Sequence, residues 1–138
     1  MSDDQFDLDL YREHILDHAR SRRNWGLLNS PDFDHEEDNT LCGDHLHLTL
    51  KQDENDVIRE VGWEGHGCAI SQASASLLGE KLIGMTLDQA RQLSRDEVLA
   101  LIGIPLTPNR MKCALLSLKV FVIGTAGVPQ WEHIEDEE

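Results

Sequence analysis

Three cysteines and one aspartate form a set whose types allow metal or thiol chemistry. Cys42 lies in Leu41-Cys42-Gly43-Asp44, Cys68 in Gly65-His66-Gly67-Cys68-Ala69-Ile70-Ser71, and Cys113 in Arg110-Met111-Lys112-Cys113-Ala114. Thiolate and carboxylate are both metal ligands, but three sulfurs with one oxygen is not the usual closed structural zinc set, which is four cysteines or a mixture of cysteines and histidines. Cys42 and Asp44 are two apart, so an extended backbone turns both to one side. Gly43 between them permits a tight turn.

The neighbours favour ionised sulfur. Cys68 precedes a helix-like run, where the positive end of a helix dipole stabilises thiolate. Cys113 follows Arg110 and Lys112, whose charges act the same way and would offset a site of four anionic ligands. Oxygen suits a soft-metal site less well than sulfur, so Asp44 is the ligand expected to let go.

Core packing is the competing reading. A lone cysteine in an apolar helix is ordinarily a small core residue, and Cys113 taken alone fits that description. Cys42 and Cys68, beside glycines in polar surroundings, fit it less well. The spacings of 26 and 45 residues match no compact zinc finger. From residue types alone, a shared ion and separate packing both stay open. His66 is a candidate extra ligand or a surface histidine. His14, His18, His45 and His47 read as surface or half-buried, and Trp63 as core.

The 138 residues suit one domain, 1–138, with 1–7 and 129–138 expected to be flexible. The net charge of -14 argues against nucleic acid as a partner. It suits a cation or a basic protein, or it serves solubility alone. The N-terminus lacks a secretory pattern, and the apolar run from Cys113 to Val128 is interrupted by Ser117, Lys119 and Thr125. The expectation is a cytoplasmic chain without a membrane span. Thiols stay reduced in that compartment.

Several elements must position the four residues. Leu8 to Arg20 carries a helical stripe of Leu8, Tyr11, Ile15 and Ala19. Phe33 to Asp38 reads as an acidic edge strand. In Asp44 to Lys51, Leu46, Leu48 and Leu50 alternate with His45, His47 and Thr49, which predicts a half-buried strand hairpinned to Val57–Glu64. Ala69 to Ile83 has helical period, ending near Gly84. Thr86 caps a short helix to Leu93, and Ser94 with Glu97 forms a capping box for another ending near Gly103. After Pro105 and Pro108 a last apolar helix spans Asn109 to Ile123, followed by a frayed acidic tail, Glu132 to Glu138. The fold class is α+β: an N-terminal helix, a three-stranded antiparallel sheet, then about four helices packed on one face.

Together these motifs resemble the U-type iron–sulfur cluster assembly family of IscU, the NifU N-terminal domain and SufU. The likeness runs from Tyr11-Arg12-Glu13-His14-Ile15-Leu16-Asp17-His18 and Arg23-Asn24-Trp25-Gly26, through the first two cysteine motifs and Gln72-Ala73-Ser74-Ala75-Ser76, to Arg110-Met111-Lys112-Cys113-Ala114-Leu115-Leu116. It implies that Cys42, Asp44, Cys68 and Cys113 hold zinc or a nascent [2Fe–2S] cluster. It implies a cysteine desulfurase, SUF- or ISC-type, as sulfur donor, with Cys42 as acceptor. Recipient apo iron–sulfur proteins or carriers follow, and a monomer or weak homo-oligomer.

Two features bear on the branch. Lys112 stands where IscU-like members carry histidine, which resembles SufU. The 44 residues between Cys68 and Cys113 leave little room for the insertion usual in SufU. Leu106-Thr107-Pro108-Asn109-Arg110 departs from the chaperone-read segment of IscU. The resemblance therefore implies a zinc-dependent sulfurtransferase or a non-enzymatic scaffold. A binding module with purely structural zinc is the alternative. A cysteine hydrolase with His66 as activating base is a third reading.

Overall fold

The computed structural model describes residues 3–40 and 43–135, with side chains described from residue 12 onward. Helix α1 spans Asp3–Arg20, then come strands β1 (Phe33–Asn39), β2 (Asp44–Gln52) and β3 (Ile58–His66). Helices α2 (Ala69–Leu82), α3 (Leu87–Arg91), α4 (Arg95–Ile102), α5 (Pro108–Ala126) and α6 (Val128–Glu135) follow. The expected α+β class is observed, with five helices after the sheet among the described residues.

The sheet is antiparallel in the order β1-β2-β3, so the leucine-rich strand is central. Register pairs Glu37 with Leu46, and Leu48 with Trp63. Leu46, Leu48, Leu50, Val61 and Trp63 turn inward against α2 and α5. Thr49 was expected on the solvent face, yet it is 1% exposed. The loop after α1 covers it: Leu28 N–H donates to Thr49 Oγ1 at 3.1 Å, and that hydroxyl donates to Gly62 O at 2.8 Å. The same loop pairs with the edge of β3 through Asn24 and Gly26, which shields open strand groups.

Helix α2 is buried on every side from Ser71 to Gly79. Its small residues let three elements approach closely. Ser74 Oγ bonds Ala114 O and Ser117 Oγ on α5, Ser76 Oγ meets α1, and Gly79 lies against the Trp63 indole.

Caps set several ends. Thr86 and Gln89 form a reciprocal capping box, and α3 stops at Arg91, short of the expected Leu93. Ser94 accepts from Glu97 N, but the box is half made, because the Glu97 carboxylate takes the Ser94 hydroxyl instead. Pro108 opens α5 at its first turn, where its missing N–H costs nothing. The acidic stretch from Glu132 differs from the frayed tail expected: it is helical to Glu135, and Trp131 and Ile134 are buried. Among the described residues no helix is long and apolar enough to cross a membrane.

Helix α1 starts at Asp3 rather than Leu8. Ile15 is buried as its stripe requires, while Leu8 and Tyr11 lie outside the described side chains. His18 corrects the sequence reading: it is 3% exposed, not superficial. Its Nδ1 lies 2.8 Å from Ser76 Oγ, which also accepts from Arg23 N–H at 2.9 Å. Burial, and then the charges of Arg23 and His14, lower the His18 pKa below the ordinary histidine value. The native fold therefore takes up that proton less readily than the unfolded chain. Stability from this group is full above about pH 6.5 and falls as pH drops towards the lowered native value. A His18→Gln variant should show a flatter dependence of Tm on pH between about 7 and 5. Equal slopes in the two proteins would dismiss His18 as the source.

Candidate metal centre

Asp44 begins β2 on the face that carries Leu46 and Leu48, so its carboxylate points into the protein and is 1% exposed. A buried carboxylate needs donors or a cation. Cys68 N–H donates to Asp44 Oδ1 at 2.7 Å. Asp44 Oδ2 lies 3.7 Å from Cys68 Sγ. One oxygen is thus tied to backbone, and the other faces sulfur.

Cys68 is the N-cap of α2, with φ -71° and ψ 165°. Its side chain makes no capping bond, which leaves a free thiol at the positive end of the helix. Ser71 Oγ, 3.9 Å from Cys68 Sγ, also donates to Cys68 O at 3.1 Å. Gly67 brings the chain across the carboxylate. Its φ is +147°, and a Cβ there would lie 2.7 Å from Asp44 Cγ and closer still to Oδ1. Only glycine permits both the angle and the approach.

Cys113 sits in the second turn of α5 with no exposed surface. Asn39 Nδ2, at the end of β1, donates to Cys113 Sγ at 3.8 Å. A carboxylate oxygen of Asp44 and the sulfurs of Cys68 and Cys113 all lie within 4.8 Å of one another. Zinc binds sulfur at about 2.3 Å and carboxylate oxygen at about 2.0–2.2 Å. Its ligands then stand roughly 3.5–3.8 Å apart, so small side-chain movements suffice. The donor set fits a thiophilic ion, provided that the sulfurs are reduced. Three of the four expected ligands thus gather. Cys42 lies outside the described residues.

The other candidates stand elsewhere. His66 is exposed, and its ring stacks on His45 with centroids 5.8 Å apart. Cys68 Sγ touches Asp44 and Ser71, so the cysteine–histidine pair of a hydrolase is not formed among the described residues. His14 is exposed and packs edge-on to His18. Arg110 is exposed. Lys112 lines a cavity of about 300 Å³ with Asn39, Lys119 and Trp131. Asn39 therefore joins that cavity to Cys113. Sequence reasoning missed Asn39, Ser71 and the part played by Gly67. For Gly67 the signal was present in the glycines flanking His66. For Asn39 it was not, since only pairing of β1 brings it near α5.

A family model described as the NifU-like N-terminal domain matches residues 10–134. The zinc-dependent sulfurtransferase SufU of Bacillus subtilis is 34% identical over 134 residues, covering 85% of this chain and 90% of its own. The iron–sulfur cluster assembly scaffold protein IscU of Thermotoga maritima is 36% identical over 126 residues, covering 80% of this chain and 88% of its own. Among solved structures, a putative iron–sulfur cluster assembly scaffold protein for the SUF system from Fervidobacterium islandicum superimposes with a TM-score of 0.69. It is 29% identical and covers 82% of this chain and 94% of its own.

The crossing at Gly67 yields a prediction. Gly67→Ala forces a Cβ onto the Asp44 carboxylate and should lower stability by about 1–3 kcal/mol. Metal retained after dialysis should fall with it. An unchanged Tm and metal content would show that Asp44 is not held from this side.

Proposed function

The chain belongs to the NifU-like N-terminal domain family, and on that basis we propose that it serves iron–sulfur cluster assembly. In this reading Cys42, Asp44, Cys68 and Cys113 form one site that accepts persulfide sulfur from a cysteine desulfurase, holds a nascent [2Fe–2S] cluster, or does both. The observation that carries it is the meeting of Asp44, Cys68 and Cys113 within 4.8 Å, from three separate elements.

Each residue has a role that its surroundings support. Bound zinc would hold the sulfurs as thiolates. Cys68 is placed for that state by the amino end of α2. Asp44 is suited to bind and release: Oδ2 faces the ligand position, while Oδ1 keeps the Cys68 N–H in either state. An oxygen ligand that can withdraw leaves room for incoming sulfur. Cys42 is assigned as acceptor. Its thiolate attacks the outer sulfur of the desulfurase persulfide, a new S–S bond forms on Cys42, the old one breaks, and the donor cysteine leaves as thiolate. Lys112, on the wall of the cavity that Asn39 shares, supplies positive charge beside the site.

The two family roles differ in what the site carries. A zinc-held sulfur acceptor keeps its ion throughout, whereas a scaffold exchanges it for iron and sulfide as cargo. The relatives named include one of each kind. Cytoplasmic action and transfer to apo iron–sulfur proteins complete the reading.

Radiolabelled cysteine supplied with a desulfurase should label the chain, and Cys42→Ser should lower labelling by at least roughly tenfold, since only the thiolate is a competent nucleophile. Undiminished labelling would take the acceptor role from Cys42. Anaerobic reconstitution with iron and sulfide separates the branches: a stable visible chromophore marks the scaffold, and retained zinc with active transfer marks the sulfurtransferase. A chain that unfolds on chelation and never accepts sulfur would instead be a module with structural zinc.

A further inference from the structure

On the solvent side of β2 the alternation that buries Asp44 turns His45 and His47 outward. Register places His66 directly opposite His45, and Glu64 opposite His47. Directly opposed side chains on an antiparallel pair have Cβ atoms about 4.5–5.5 Å apart. The His45 and His66 rings are nearly parallel, at 26°. With Gly65, these four residues line an open cavity of about 270 Å³.

Hydrogen bonding is uneven across this face. His45 Nδ1 lies 2.5 Å from Asp38 Oδ1. His47 touches Asp34 through Nε2 at 2.5 Å and Glu36 through Nδ1 at 3.2 Å. The His66 ring nitrogens and the Glu64 carboxylate have no such partner among the described residues. The cavity thus holds two uncommitted donors beside a histidine whose other nitrogen is anchored to a carboxylate. A carboxylate on one ring nitrogen orients a histidine to ligate through the other.

We propose that this face carries a second metal site, in which His45, His66 and Glu64, joined by His47, hold an exposed divalent first-row transition ion. Imidazole nitrogens with one carboxylate select zinc, cobalt, nickel or ferrous ions over magnesium and calcium. Asp34, Glu36 and Asp38 add negative potential around the cavity, in a chain of net charge -14. The donors are not gathered as closely as the buried trio. Side-chain rotation brings them in, and His47 gives up its longer contact, to Glu36. The ion is therefore held less tightly than one in the cysteine site and exchanges with solvent. Asp44 and His45 are adjacent, as are the cysteine motif and His66, so the two sites stand on opposite faces of the same strand ends. This site does not depend on the role proposed for the cysteines.

Cobalt(II) is the probe, because thiolate ligation gives an intense near-ultraviolet charge-transfer band that nitrogen and oxygen ligands lack. The reduced chain should bind two ions. Cys68→Ser should keep the second ion, with its weak visible bands, while the thiolate band is reduced or lost. The double variant His45→Ala, His66→Ala should keep the thiolate band and lose the second ion, with its Kd weakened at least roughly tenfold. Excess magnesium should not compete. Both histidines lie at the surface, so far-ultraviolet circular dichroism and Tm should match the parent chain. The inference is overturned if the only ion bound by the reduced chain is the one that shows the thiolate band, or if a second ion binds equally well without His45 and His66. Loss of the thiolate band with the second ion intact would count against the cysteine site alone.

Discussion

The hydrogen bond from Cys68 N–H to Asp44 Oδ1 ties the start of α2 to the start of β2. It closes a crossing at which the end of β3 passes over the start of β2 through Gly67. A charged carboxylate without exposure to water is costly unless donors surround it. One backbone donor and a neighbouring thiol answer part of that need, and a bound cation would answer the rest. Asp44 is thereby both an anchor of the sheet-to-helix turn and the oxygen presented to a metal. A larger residue at 67 would break both roles at once.

Helix α2 carries the consequence inward. Its first residue follows Cys68, so the direction of the helix sets where that sulfur stands. Burial on all sides is possible because alanine, serine and glycine alternate along it, and each buried serine hydroxyl bonds a neighbour on α1, α5 or its own first turn. Cys113 then reaches the site because α5 packs along α2 and across the sheet. Rigid elements hold these donors, which limits the disorder that an empty site would otherwise permit.

The outward face of the sheet follows a different logic. Its histidines and carboxylates are arranged by strand pairing, not by packing, and they pair with one another in water. The alternation that hides Asp44 exposes His45, so the residues flanking the buried centre on each strand become surface donors.

Local pattern was enough for much of the architecture. The leucines of β2, the helical stripe around Ile15, and the capping residues Thr86 and Ser94 each act on near neighbours, so periodicity exposes them. Helix α6 escaped because its charged residues hide a short apolar face, Trp131 and Ile134, that gains stability only against the core. His18 and Thr49 escaped for a similar reason: a distant loop or helix covers each, and no local pattern reports that. For the candidate centre, residue types and their order determined which groups can bind a soft ion and which family the chain resembles. The tertiary structure decided that Asp44, Cys68 and Cys113 meet, that Asn39 reaches Cys113, and that His66 turns away to the surface. Those outcomes depend on strand register and helix packing across long sequence separations, which spacing along the chain does not encode.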